Sequence, residues 1–148
     1  MALFTLVYTS EASAPLGDRE LTEILTTARE RNAGLDVTGT LLYHDGYFIQ
    51  VLEGNRSVIE TLYNRIKSDS RHRSVKIMWD GAIEQRQFED WVMGFRNASG
   101  EDLSDLEGYT DWLHSPAEDW TPAQRKTMAS ALLDGFKRSA QRFSKDGL

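Results

Sequence analysis

The amino-acid sequence predicts an α+β fold: a ferredoxin-like sandwich whose five-stranded mixed sheet carries two helices on one face and C-terminal helices on the other. Three observations predict it. Apolar periodicities along residues 3–97 follow the order β-α-β-β-α-β-β, a split β-α-β pattern. Asp45-Gly46 is the strongest short hairpin signal, so the strands flanking it pair antiparallel. Each helical stretch carries one apolar stripe, which suits two helices packed on one face of one sheet. Strands one and three are expected to run parallel at the centre of that sheet.

The elements follow in order. In Leu3–Thr9, Leu3, Thr5 and Val7 alternate with Phe4, Leu6 and Tyr8, the two-residue period of a strand. A loop with Pro15 and Gly17 leads to Asp18, the expected N-cap of a helix bearing Leu21, Ile24, Leu25 and Ala28. Gly34 suits its stop. Val37–His44 reads as strand two, and strand three runs to Glu53, where Gly54 breaks it. A second helix starts near Asn55 or Ser57. Ser57 and Glu60 have capping-box spacing, and Val58, Ile59, Leu62 and Ile66 form the stripe. Ser68–Arg73 is a polar loop. Ser74–Ile83 reads as strand four, and Trp91–Asn97 as strand five, with Trp91, Met93 and Phe95 on one face.

Residues 98–148 read as a helical extension of the domain at 1–97. Glu101–Asp119 holds seven acidic residues and no Lys or Arg, with room for a short helix near Leu103–Leu113. Thr121 and Pro122 open a longer helix, about 122–143, striped by Met128, Leu132, Phe136, Ala140 and Phe143. That stripe covers the free face of the sheet or a partner subunit, and the two readings do not exclude each other.

Composition narrows the function. The chain has 148 residues, one domain with a small appendage, enough to bury roughly two thirds of its unfolded surface. A net charge of −6 without any basic run argues against nucleic acid. There is no cysteine, hence no disulfide or thiol chemistry. No basic leader or apolar run of about 18 residues is present, so a cytoplasmic protein without membrane spans is expected.

Known catalytic constellations are missing: there is no GxSxG, HExxH, CxxC or P-loop. His44, His72 and His114 lack i, i+4 partners, so no metal site is expected. Glu53 and Glu60 read as lone surface acids. What stands out is Gln50, placed mid-strand among apolar residues, where both strand faces read as buried. An amide left without partners there costs on the order of 1–3 kcal/mol. Tyr8 ends the first strand on the Phe4/Leu6 face, Gln50 lies on the Phe48/Leu52 face, and the two become hydrogen-bond neighbours if those faces coincide. Asn32 sits near the same layer, at the end of the first helix. Two readings stay open on residue chemistry. Asn32 is a C-cap and Gln50 a satisfied core amide, with Ile24, Ile66, Phe48 and Met93 simply core; or these residues surround a ligand.

Over roughly residues 2–97 the chain resembles the BLUF family, sensors of blue light using flavin. The resemblance rests on Leu6-Val7-Tyr8-Thr9-Ser10; on Arg31-Asn32 followed by Thr38-Gly39-Thr40-Leu41-Leu42-Tyr43; and on Gly46-Tyr47-Phe48-Ile49-Gln50-Val51-Leu52-Glu53-Gly54. Asp69-Ser70-Arg71-His72 and Phe88-Glu89-Asp90-Trp91-Val92-Met93 complete it. Val92 departs from the Ser or Thr of the family's triplet, on the side expected to face away from the flavin. The resemblance implies a noncovalent FAD, with FMN or riboflavin as substitutes, held between the two helices with its ring edge-on to the sheet. Tyr8 and Gln50 match the photoactive pair. Asn32 matches the amide at the ring's polar edge, with Arg31 beside it. Ile24, Phe48 and Ile66 match the apolar walls. Arg65, Asp69, Arg71 and His72 fall where the family contacts the ring's far end or the phosphate tail. Trp91 and Met93 match the strand-five pair that reports the change, and parity leaves open which of them faces the flavin.

The implied activity is a photocycle and not enzymatic turnover. Light drives electron and proton transfer from Tyr8, the hydrogen bonds of Gln50 rearrange, and a red-shifted signalling state results. Residues 98–148 hold no recognisable effector, so the implied output is contact with an unknown downstream protein, with homo-oligomerisation. Two rivals stand beside this. An acylphosphatase-type hydrolase would need an Arg in an N-terminal anion-cradling loop, but Ser10–Gly17 has no Arg and only one Gly. A non-photoactive interaction module that has lost flavin would have no need of both Tyr8 and Gln50.

Overall fold

Strand β1 (Leu3–Ala12) is buried along almost its whole length because both faces of the sheet are covered. In the computed structural model, which describes residues 3–14, 16–44, 46–88, 94–97 and 109–138, β1 is followed by α1 (Asp18–Leu35), β2 (Thr38–His44), β3 (Tyr47–Gly54), α2 (Arg56–Lys67), β4 (His72–Ile83) and β5 (Gly94–Asn97). The sheet order is β4-β1-β3-β2-β5. Among the described residues only β2 and β5 pair in parallel; β1 is antiparallel to both β3 and β4.

The expectation that strands one and three run parallel is therefore corrected. The α1 crossover returns the chain so that β2 runs in the direction of β1. The hairpin then inserts β3 between them, so β3 must oppose both. In that hairpin His44 pairs with Tyr47, and Gly46 takes φ +85°, a conformation that favours glycine; Asp45 lies outside the described residues.

Helix ends also differ from the local signals. Gly17, not Asp18, is the N-cap of α1, and its N–H donates to Glu20 Oε2 at 3.0 Å. The helix runs through Gly34 to Leu35, and Asp36 takes the left-handed C-cap conformation (φ 55°, ψ 42°). Asn55 caps α2, accepting from Ser57 N–H at 3.0 Å; Glu60 pairs instead with Arg56. Strand β4 starts at His72, two residues before the expected Ser74.

Two apolar layers sandwich the sheet. Under α1 and α2 lie Phe4, Leu6, Phe48 and Leu52, packed against Leu21, Leu25, Ile59 and Leu62. On the opposite face Val7, Leu42, Ile49, Val51 and Met78 meet the C-terminal extension through Trp112, Met128, Ala129 and Leu132. The extension contains α3 (Tyr109–Leu113), a 3-10 turn (Ala117–Asp119) and α4 (Pro122–Arg138). The free sheet face is thus what the Met128/Leu132 stripe covers. Thr121 caps α4 as expected, in a reciprocal box with Gln124 at 2.9 and 3.1 Å. The expected helix from Leu103 is described only from Tyr109, and Ala140, Phe143, Trp91 and Met93 lie outside the described residues.

Candidate functional site

Antiparallel pairing sets Tyr8 directly opposite Gln50, so both side chains emerge on the α1/α2 face. The Tyr8 hydroxyl donates to Gln50 Oε1. Both residues are buried. Burial pushes the Tyr8 phenol well above its ordinary pKa, and the nearby Arg31 charge opposes this only in part. Tyr8 therefore keeps its proton across the physiological range. Leu41 lies opposite Gln50 on its other side, so a single row across the sheet reads Ile77, Tyr8, Gln50, Leu41, Phe95.

Above this row a cleft opens to solvent. Helix α1 contributes Ile24, Thr27, Ala28 and Arg31, spaced so that they share one face. Phe48 and Leu41 form part of the floor with Gln50, and α2 supplies Ile66. Asp69, Arg71 and His72 form the rim. Asn32 is fully buried one residue beyond Arg31, and Arg31 Nε reaches Asn32 Oδ1 at 3.4 Å. It is no surface cap, although its carbonyl does accept the N–H groups of Asp36 and Val37.

The rim is cationic. Burial lowers the Arg31 pKa, and the like charges of Arg65 and Arg71 add to that. Among the described residues Asp69 is the one acid lining the cleft, and hydrogen bonds from Arg71 hold its carboxyl below the usual range. The closest Arg71 Nη2 to Asp69 Oδ2 approach is 2.5 Å. His72 is fixed by Ser10 Oγ at 2.9 Å and by the Ile66 carbonyl at 2.5 Å. The arrangement is a slot with apolar walls, an amide and a phenol at its floor, and guanidinium groups at its mouth. Such a slot takes a flat, polar-edged ring carrying an anionic tail.

The comparisons agree with that chemistry. Residues 3–94 match the family model described as sensors of blue-light using FAD. The chain belongs to the BLUF family.

Its relatives include the photoactivated adenylate cyclase subunit beta of Euglena longa, 37% identical over 120 residues, or 80% of this chain. The match spans only 14% of that longer protein. Among solved structures, a BLUF protein in its dark state, BlrB, is 32% identical with a TM-score of 0.64, covering 87% of this chain and 97% of that one. The photo-activated state of BlsA has 27% identity and a TM-score of 0.71, covering 88% of this chain and 94% of that one. Members of the BLUF family use FAD.

Of the residues anticipated for the cofactor, Tyr8, Ile24, Arg31, Phe48, Gln50, Ile66, Asp69, Arg71 and His72 line the cleft. Asn32 and Arg65 do not line it, though both adjoin Arg31, the first through its side chain and the second through its charge. Met93 and Trp91 lie outside the described residues. Thr27, Ala28 and Leu41 were missed. Helical spacing from Ile24 and cross-strand pairing with Gln50 are the signals that would have found them. Glu53 was misread: it is fully buried, not a surface acid.

Proposed function

We propose that this chain is a blue-light receptor that holds FAD in the α1/α2 cleft and switches by rearranging the hydrogen bond between Tyr8 and Gln50. That bond, at the floor of a slot with a cationic mouth, carries the reading. When bound, FAD supplies the blue-absorbing chromophore and an acceptor for one electron and one proton. Ile24, Phe48 and Ile66 exclude water from the slot. Gln50 would hold the polar edge of the ring, and Arg31 and Arg71 would favour the phosphates, with Asn32 and Arg65 adjoining Arg31 from behind.

Tyr8 is a neutral phenol that donates its O–H to Gln50 Oε1, so loss of an electron from the Tyr8 phenol would release that proton to Oε1, and return of the electron and the proton to Tyr8 would restore the phenol with no net chemistry. A half-turn of the Gln50 amide exchanges Oε1 and Nε2 with little change of shape. The phenol oxygen then accepts where it formerly donated. Two arrangements of one amide thus compete, which is the bistable element a switch requires. The row from Gln50 through Leu41 to Phe95 offers a path into β5; Trp91 and Met93, which precede β5 in sequence, are assigned the reporting role. No bond of a substrate is made or broken, so the chain is a switch and not an enzyme. Its output passes by contact to a downstream protein in the cytoplasm, with self-association.

The test is an absorption spectrum of the purified, FAD-loaded chain, in the dark and after blue illumination. A flavin band that moves slightly to the red and relaxes in the dark supports the reading. A colourless chain that takes up no added FAD overturns it.

A further inference from the structure

The buried carboxylate of Glu53 lies on the opposite side of β3 from Gln50 and takes no part in the cleft. Its oxygens are nonetheless fully used. Oε2 accepts the Gln87 N–H at 2.6 Å, and Oε1 accepts the Phe88 N–H at 3.0 Å and the Thr38 hydroxyl at 3.1 Å. Arg86 closes the same loop from outside. Its Nη1 donates to Thr38 Oγ1 at 2.8 Å and to the Glu53 carbonyl at 3.1 Å, and its Nη2 to the Asp36 carbonyl at 2.9 Å. Three consecutive residues, 86–88, are therefore tied to the ends of β2 and β3. Phe88 is buried in the second apolar layer beside Val7, Leu42, Ile49 and Val51.

A buried carboxylate facing backbone N–H groups fixes their position more firmly than an apolar contact, because moving either group leaves a charge unsatisfied. Residues 86–88, so fixed, follow β4 in the chain, and β5 pairs with β2 at Leu41, the neighbour of Gln50. We propose that Glu53 is a positioning residue, a latch that holds residues 86–88 beyond β4 so that rearrangement at Gln50 is felt in β5. This rests on the photoreceptor reading and adds a residue to it.

The conservative test is Glu53→Gln in the full, FAD-loaded chain. The substituted amide keeps one acceptor oxygen but turns an NH2 toward one of the two backbone N–H donors, so the latch is half lost. Two quantities are read: the light-induced red shift, and light-minus-dark hydrogen exchange in the peptide spanning residues 84–97. Wild type is expected to show both. Glu53→Gln is expected to keep the shift, lose the exchange difference, and change its dark recovery rate by about tenfold, the weight of one charge-assisted hydrogen bond. Arg86→Gln loosens the same loop without touching the buried carboxylate, so it carries the test if Glu53→Gln does not fold, and is expected to reduce the exchange difference likewise. Unchanged exchange and recovery in these variants overturns the latch. Loss of the red shift in Glu53→Gln also overturns it, since Glu53 would then belong to the photoactive set. A wild-type chain with no shift overturns the photoreceptor reading itself, and the latch falls with it.

Discussion

Gln50 is satisfied at Oε1 by a phenol whose proton burial makes hard to remove. Replacing Tyr8 by Phe removes the donor and barely changes the volume, so Tyr8→Phe is expected to stay yellow and lose the reversible shift; an unaltered shift in its absorption spectrum would contradict the assigned role. The raised Tyr8 pKa also has a sign in stability. The unfolded phenol ionises near its ordinary value of about 10 while the folded one stays protonated, so stability is complete below about pH 10 and declines as pH rises above it. Chemical denaturation between about pH 9 and 11 should show a shallower alkaline loss for Tyr8→Phe than for wild type. The half-exposed Asp69–Arg71 pair works the other way. Its small contribution is present above about pH 4 and fades as acid protonates Asp69. At this scale the sequence was partly readable. Tyr8 and Gln50 stood out as polar residues on apolar strands. The backbone N–H partners of Glu53, at Gln87 and Phe88, are 34 and 35 residues away in the chain, and no local pattern encodes them.

Elements were legible in their periods and less so in their ends. The stripes of α1, α2 and α4 follow from apolar spacing alone, but caps depend on which neighbour the chain brings up. Asn55 outcompetes Ser57 because its side-chain Oδ1 accepts from both the Ser57 N–H and the Ser57 hydroxyl, at 3.0 and 2.8 Å. Asn55→Ala should cost about 1 kcal/mol in urea unfolding. Strand direction was missed because parity fixes which face a side chain occupies, not which way a neighbour runs. Gly39 shows how closely β2 and β3 approach: a Cβ there would stand 1.9 Å from the Val51 carbonyl oxygen. Helix α3 is anchored by Trp112, whose indole N–H donates to Thr9 Oγ1 at 2.9 Å, next to Tyr8 in β1. Lys76 of β4 donates to the carbonyls of Trp112 and Ser115 and lies 4.8 Å from the Trp112 ring centre. Trp112→Ala is expected to lose about 3–5 kcal/mol by equilibrium unfolding while retaining a shifting flavin band. Loss of the shift in a folded variant would put Trp112 in the photoactive set.

On the scale of the whole molecule, one sheet serves two cores. The α1/α2 layer frames the cleft, and the C-terminal extension seals the other face. The extension is therefore an apolar cover for the sheet. A chain ending at residue 97 would bare Val7, Leu42, Ile49, Val51 and Met78, and should aggregate or self-associate on size-exclusion chromatography. The sandwich and most of the cleft were readable because they arise from patterns within single elements and from the family resemblance. The cationic mouth was harder: Arg31, Arg65 and Arg71 converge only when α1, α2 and the turn before β4 are assembled. The switch at the floor of the cleft is tested most directly by the light-minus-dark absorption difference of wild type beside Gln50→Leu. Wild type should give a reversible red shift of the flavin band, and Gln50→Leu should hold the flavin but give none. A full, reversible shift in Gln50→Leu, or a wild-type band that bleaches or stays fixed, would contradict the Tyr8–Gln50 switch.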